Sequence, residues 1–285
     1  MLKSTSNNLQ SLIFNLATHS RLAIAFSAGI DSSLLLAAAC QALDTDRILA
    51  LTATSPLQPA TEMQRAQSLA QKLGVRWQPV TFNPLHDPNF VSNPPERCYL
   101  CKKMMLSALL RTAEKSGFSL LAEGSNHDDL ADFRPGFKAV MELQAISPLL
   151  EVKLGKDAIR ALATELELPN AKLPADACLA SRLPFHTPIT PERLNRVEQA
   201  EQYLYQAGFA GPLRIRDYGD LCRIEITIAN FPQLFEQNRR EYIANLLKTC
   251  GYHHITLDLC GYQPGSLNPK TKKLLPPFNH TSKLK

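Results

Sequence analysis

Three cysteines of this chain are placed as reactive thiols rather than as packing. Cys98 and Cys101 are spaced C-x-x-C in the first turn of a predicted helix, where the positive end of the helix dipole stabilises thiolates. Cys178 lies in Ala177-Cys178-Leu179-Ala180-Ser181-Arg182, with a cation close in sequence. Three thiolates sharing a site have two chemistries open to them. Completed by a histidine such as His186, they make a Cys3His zinc set. On an iron–sulfur cluster they leave one iron without a protein ligand, able to hold a substrate or a sulfide. Cys40, Cys222, Cys250 and Cys260 fall inside or at the ends of apolar predicted elements and read as small core residues.

A second constellation is built for phosphate. Ser27-Ala28-Gly29-Ile30-Asp31-Ser32 sets small residues and hydroxyls between a predicted strand and a helix N-terminus, where unpaired N–H groups and the dipole attract anions. The loop lacks the lysine of a Walker A sequence and the glycine spacing of a dinucleotide fold. Asp31 cannot attract phosphate itself; holding Mg²⁺ or orienting the loop is its sensible role. Ligands of open α/β sheets sit beyond the carboxyl ends of the strands, so the turns following Phe26, Thr52 and Ala122 matter most. The third of these opens Glu123-Gly124-Ser125-Asn126-His127-Asp128-Asp129-Leu130-Ala131-Asp132-Phe133-Arg134-Pro135-Gly136. Its carboxylates and arginine, Glu123, Asp128 and Arg134 among them, could position Mg²⁺, ATP and an activated acyl group, or form a solvated loop whose aspartates cap the next helix. Arg214 and Arg216, two apart on a predicted strand, emerge on one face, and pairing with the next strand could add Arg223 and Glu225. That set is either a phosphate fork or a salt-bridge ladder.

The elements that must hold these residues alternate. Strands over 22–26, 48–54, 75–82 and 118–122 are interleaved with helices over 34–43, 60–73 and 98–115, which predicts an α/β fold with a parallel sheet flanked by helices. A helix over 157–166 closes a first domain, residues 1–168. A proline-rich, cysteine-bearing linker covers 169–190. Helices over 192–207 and 233–248 and strands over 213–217, 221–228 and 254–259 make a smaller α+β domain, 191–262. Residues 263–285 read as a disordered tail.

The chain has 285 residues, 45% hydrophobic and 20% charged, ample for a core. It shows neither a leader nor a run of about 18 apolar residues. With seven cysteines and no export signal, a reducing cytoplasm is the expected compartment. Lys270, Lys272, Lys273, Lys283 and Lys285 account for the whole net charge of +5, so residues 1–260 are formally neutral, which argues against a nucleic-acid partner.

Together the loop, R-C-x-x-C-K at 97–102, E-G-S-N-x-D-D-x-x-D-x-R-P-G at 123–136, A-C-L-A-S-R at 177–182 and R-I-R at 214–216 resemble the LarE family of PP-loop sulfur transferases, over residues 20–268. Of the SGGxDS signature only the second glycine is kept. Ala28 replaces the first, and the backbone there is expected to avoid positive φ. The resemblance implies an AMP-forming enzyme that adenylylates the carboxylates of pyridinium-3,5-biscarboxylic acid mononucleotide and converts them to thiocarboxylates, for a nickel-pincer cofactor. It implies ATP at Ser27, Gly29, Asp31, Ser32, Thr52 and Gly124, with Mg²⁺. Substrate phosphate would lie at Arg182, Arg214, Arg216 and Glu225, and a 4Fe-4S cluster on Cys98, Cys101 and Cys178. Sulfur would come from cluster-bound sulfide or from Cys178 itself. A homo-oligomer and a sulfur-supplying protein partner are implied as well. Rival readings are a PP-loop tRNA thiolase with a three-cysteine cluster, an ammonia-dependent synthetase using the same adenylate, and a zinc-stabilised nucleotide-binding protein without catalysis.

Overall fold

The computed structural model describes residues 2–58, 60–130, 135–171, 177–236 and 238–267. In chain order the larger elements are α1 (Leu2–Ala17), β1 (Leu22–Ala25), α2 (Ile30–Ala42), β2 (Ile48–Thr54), α3 (Ala60–Lys72), β3 (Arg76–Thr81), α4 (Pro88–Val91), α5 (Arg97–Lys115), β4 (Leu121–Ala122), α6 (Phe137–Glu142), α7 (Pro148–Glu151) and α8 (Lys156–Glu165). They are followed by α9 (Pro191–Gln206), β5 (Arg214–Asp217), β6 (Leu221–Glu225), α10 (Phe231–Leu234), α11 (Arg239–Thr249) and β7 (His254–Leu257).

The first four strands form one parallel sheet in the order β3-β2-β1-β4. β1 and β2 are apolar and buried almost throughout because helices cover both faces. Alternate side chains go to opposite layers. Leu22, Ile24, Ile48 and Ala50 join α1, α2, α3 and α8, whereas Ala23, Leu49, Leu51 and Ala53 join α5 and α6. α2 is buried along most of its length, so it has no polar face to expose and is held by its packing.

A second sheet, β5-β6-β7, is antiparallel between β5 and β6 and parallel between β6 and β7. Its own core gathers Leu213, Ile215, Ile224, Leu204, Phe209 and Leu247. Between the two sheets lies a further apolar cluster in which Leu179, Ala180, Leu183 and Ile189 meet Leu57, Phe90, Leu194 and Val197. The described part of the proline-rich segment is therefore packed, and it contains a short 3₁₀ turn, Leu179–Arg182.

Several expected boundaries move. The strand expected over 118–122 is reduced to Leu121–Ala122, and the one over 221–228 ends at Glu225. The helix expected over 233–248 is broken in two, because Asn238 takes a left-handed conformation, φ 60, at the start of α11. α1 lies in a stretch for which no element was expected, and it buries Leu9, Leu12 and Leu16 against α2, α7 and α8. Cys260, expected in the core, is exposed. Residues 268–285, most of the expected tail, lie outside the described residues. Among the described residues no helix is long and apolar enough to cross a membrane.

Candidate functional site

A cleft opens beyond the carboxyl ends of β1 and β4, the point where the strand order reverses. Ser27, Gly29, Asp31 and Ser32 form one wall, and Glu123, Gly124, Ser125 and Asp129 form the other. Lys102 and Gln58 stand at its sides, and Leu51, Met105 and Leu109 lie at its floor. The loop after β1 is tied to itself. Ser32 Oγ donates to Gly29 O at 3.1 Å and accepts from Ser27 N at 3.3 Å, and Gly29 N donates to Ser27 Oγ at 3.3 Å.

The expectation for Ala28 is overturned: its φ is +55. Asn170, buried, fixes that conformation by donating from Nδ2 to Ala28 O at 2.7 Å and to Ser33 Oγ at 2.7 Å, and the Ala28 methyl is packed in the core. The surroundings thus over-determine a backbone that an alanine adopts only at a cost of about 1–2 kcal/mol.

The opposite wall is centred on Glu123, 2% exposed. Its carboxylate accepts from Lys102 Nζ at 2.8 Å, Ser147 Oγ at 2.6 Å, Ser125 N at 3.0 Å and Ser125 Oγ at 2.9 Å. Burial pushes this carboxyl up, but the Lys102 ammonium and the hydrogen bonds outweigh it and hold the pKa below the ordinary range. Gly124 acts through space. A Cβ there would lie 3.2 Å from Ser32 N and 3.4 Å from Asp31 Cβ, so a side chain would press the two loops apart by a few tenths of an ångström. Asn126, fully buried, donates to Asp31 Oδ2 at 3.4 Å and aligns it toward the cleft.

Asp128, expected among the reacting groups, and Thr52, expected at ATP, are both engaged in structural hydrogen bonds. Asp128 Oδ2 accepts from Lys156 N at 2.7 Å, at the first residue of α8, and a Cβ on Gly155 would meet both carboxylate oxygens at 3.0 and 3.1 Å. The neighbouring Asp129 faces the cleft instead. Thr52 lies within β2, and its hydroxyl donates to Phe26 O at 2.7 Å and accepts from Trp77 Nε1 at 2.8 Å. Arg134 lies outside the described residues. Lys102, Gln58, Ser125 and Asp129 line the cleft without having been singled out. Lys102 was legible, being the lysine of R-C-x-x-C-K one residue beyond Cys101.

The cysteine trio sits where α5 meets the segment carrying Cys178. Cys98 is exposed, while Cys101 and Cys178 are half-buried and pack against the same apolar cluster. Burial, then the neighbouring Cys178 and Cys98, pushes the Cys101 thiol up to about 12, with Lys102 opposing. Burial and Cys98 also raise Cys178, against Arg97 and Arg182. The three thiols are thus within electrostatic reach of one another. Among the described residues no three His, Cys, Asp or Glu converge on one point suited to a single metal ion. The segment is stitched down by Leu179 N to Leu57 O at 3.0 Å, His186 N to Asn93 O at 2.8 Å and Ile189 N to Val91 O at 2.9 Å.

On the second sheet, the β5–β6 register sets Arg214 opposite Glu225 and Arg216 opposite Arg223, on one face. The group is an internal network. Arg216 forks onto Glu225 Oε2 at 2.9 and 2.7 Å and donates to Ser181 O at 2.9 Å, and Arg223 reaches Glu225 Oε1 at 2.9 Å. Arg214 donates to Leu213 O at 2.7 Å and lies over Tyr262. Arg182, 2% exposed, forks onto Glu201 at 2.9 and 2.8 Å and donates to Cys178 O at 3.0 Å and to Ala177 O. Glu201 in turn accepts from Ile215 N at 3.0 Å. Two arginines therefore connect the Cys178 segment to the second sheet.

Residues 3–96 match the family model described as NAD synthase, which covers the loop after β1. The chain is similar over most of its length to three curated proteins. An uncharacterised protein of Synechocystis is 36% identical over 94% of this chain and 98% of its own. The pyridinium-3,5-bisthiocarboxylic acid mononucleotide synthase of Lactiplantibacillus plantarum is 36% identical over 89% and 91%. An uncharacterised protein of Methanocaldococcus jannaschii is 31% identical over 89% and 93%. A PP-loop cleft, a cysteine trio beside it and this extent of identity place the chain in the LarE (pyridinium-3,5-bisthiocarboxylic acid mononucleotide synthase) family of PP-loop enzymes.

Proposed function

We propose that this protein uses ATP to adenylylate the carboxylates of pyridinium-3,5-biscarboxylic acid mononucleotide and replaces their oxygen with sulfur. The observation that carries this reading is the placement of α5. Its first turn bears Cys98 and Cys101, and the next residue, Lys102, lines the PP-loop cleft and pairs with Glu123. Activation and sulfur delivery thus share one helical turn.

The loop N–H groups and the hydroxyls of Ser27 and Ser32 hold the phosphates of ATP, and Asp31 and Asp129 supply the oxygen donors Mg²⁺ requires. A substrate carboxylate oxygen attacks the α-phosphorus, the α–β phosphoanhydride breaks, and pyrophosphate leaves. The resulting mixed anhydride is a good electrophile, so a sulfur nucleophile attacks its acyl carbon and AMP departs. Lys102 stands where it can neutralise charge developing on the reacting phosphate or acyl oxygen.

The donor set of the trio fits a 4Fe-4S cluster. A single zinc ion at about 2.3 Å from each sulfur needs thiols that converge on one point, whereas a cluster takes each on a different iron. Held by Cys98, Cys101 and Cys178, the cluster would supply an iron without a protein ligand at which sulfide can be kept. Arg214 and Arg216 of the second sheet, with Arg182 of the Cys178 segment, supply the positive charge that would face the substrate's phosphate, although Glu225 and Glu201 offset two of the three.

The test is to measure pyrophosphate exchange into ATP with this substrate, together with iron, zinc and acid-labile sulfide on protein purified without oxygen. Exchange that needs the substrate, with iron near four per chain that is lost in Cys101→Ala, is the expected result. Stoichiometric zinc, or no exchange with loaded protein, refutes the reading.

A further inference from the structure

Arg97 opens α5 beside Cys98, and its side chain is buried, with 5% exposure. Its Nη1 donates to Asn93 Oδ1 at 2.6 Å and Leu183 O at 3.1 Å, and its guanidinium lies 4.6 Å from the centre of the Phe185 ring. Its Nε is buried with no partner. Every acceptor it touches is neutral. Arg182 and Arg216, buried to the same degree, each fork onto a carboxylate, whereas among the described residues Arg97 has no carboxylate within ion-pair distance.

A guanidinium taken out of water without a counter-charge costs several kcal/mol, so its persistence requires that something nearby be negative in the working protein. Among the described residues, the groups to hand that can carry negative charge are the thiolates. Cys98 is the next residue, and Leu183 and Phe185, which Arg97 holds, belong to the segment that carries Cys178. The same contacts make Arg97 a strut between the two halves of the trio.

We infer that Arg97 is the counter-cation of the cysteine trio: it is kept clear of carboxylates so that its buried charge offsets the thiolates that bind the cluster, and it positions the Cys178 segment through Leu183. This rests on the cluster reading above. Two consequences separate it from a packing role. Arg97 stabilises the cluster-loaded protein more than the metal-free protein, and it favours the cluster's more negative, reduced state.

The experiment uses the full chain and two variants: Arg97→Gln, which keeps a donor but removes the charge, and Arg97→Lys, which keeps the charge. Iron and sulfide per chain are measured after anaerobic reconstitution and during competition with EDTA, the midpoint potential is taken by an EPR-monitored titration, and urea unfolding is followed on the metal-free forms. Arg97→Gln should lose iron to EDTA at least about tenfold more readily and titrate at a more negative potential, while unfolding without metal at or above the wild-type midpoint. Arg97→Lys should keep most of the wild-type iron retention and potential. Wild-type iron retention and potential in Arg97→Gln overturn the inference. So do equal losses in both variants, or a metal-free Arg97→Gln much less stable than wild type, since either would make hydrogen bonding the whole role. A wild-type protein that takes up no iron refutes the cluster reading itself.

Discussion

Replacing Ala28 with glycine should leave the stability of this protein nearly unchanged, because three effects of similar size oppose one another. Glycine relieves the left-handed strain at φ +55, a gain of about 1–2 kcal/mol. It returns conformational freedom to the unfolded chain, a loss of about 0.4–1 kcal/mol. It also removes a methyl that is only 2% exposed and packs in the main core, a loss of about 0.8 kcal/mol. The balance lies within about 1 kcal/mol of zero. Ala28→Val tests the same backbone from the other side. A β-branched residue at that φ, with two more methyls in filled space, should cost more than about 2 kcal/mol. Urea unfolding followed by circular dichroism measures both. A glycine variant destabilised by more than about 2 kcal/mol, or a valine variant as stable as wild type, would refute the left-handed assignment and the role given to Asn170 in enforcing it.

Lys102→Met should destabilise the protein by about 3 kcal/mol at neutral pH by leaving Glu123 buried and uncompensated. Because the Glu123 carboxyl is depressed in the fold, the stability it brings is present above the unfolded carboxylate value and lost as pH falls through its lower folded value. The gap between wild type and variant should therefore narrow on acidification, and a gap that widens would contradict the assigned pairing. Asp128→Ala should cost about 1 kcal/mol as a lost cap of α8 while substrate-dependent pyrophosphate exchange persists. Exchange abolished at unchanged stability would restore Asp128 to the reacting groups. Arg182→Met should cost about 3–5 kcal/mol and Arg182→Met with Glu201→Leu distinctly less, a comparison read by urea midpoints; equal losses would show that the pair is not the source.

Much of this was legible because phosphate chemistry and buried parallel strands leave strong local marks. The apolar runs over 22–26 and 48–54 and the polar turns after Phe26 and Ala122 could be placed from composition, as could the loop at Ser27–Ser32. α1 leaves a weaker mark, since only Leu9, Leu12, Ile13 and Leu16 carry the i, i+3, i+4, i+7 spacing of a helix in a largely polar stretch. The break between α10 and α11 depends on one asparagine turning left-handed, which an apolar stripe does not reveal. In the site, the choice between Asp128 and Asp129 was beyond sequence reasoning. Adjacent residues in a turn point in different directions, and only the arrival of α8, 28 residues on, decides which carboxylate becomes a cap. Ala28 departs from its local preference for a similar reason: alanine avoids positive φ, and a distant buried amide overrides it.

On the proposed chemistry, the cysteines need no moving carrier. The first turn of α5 is fixed from three directions. Glu123 holds Lys102 from the cleft, Arg97 anchors on Asn93 and Leu183 from the side of Cys178, and Gly136 lies so close that a Cβ there would be 3.4 Å from Lys102 Cβ and 3.6 Å from Cys98 O. A turn clamped in this way cannot swing without breaking a buried ion pair. The Cys178 segment is anchored equally firmly through Arg182 to Glu201 and through Ser181 O to Arg216, both of which belong to the second sheet's network. On the proposed chemistry, an acyl adenylate formed over the PP-loop must then be brought to the sulfur by its own placement between the two sheets. The second sheet's arginines would act as the far anchor that sets this distance. Loosening that anchor should slow sulfur transfer more than adenylate formation, because the carboxylate's approach to ATP is governed by the cleft, whereas its approach to the thiols depends on both sheets.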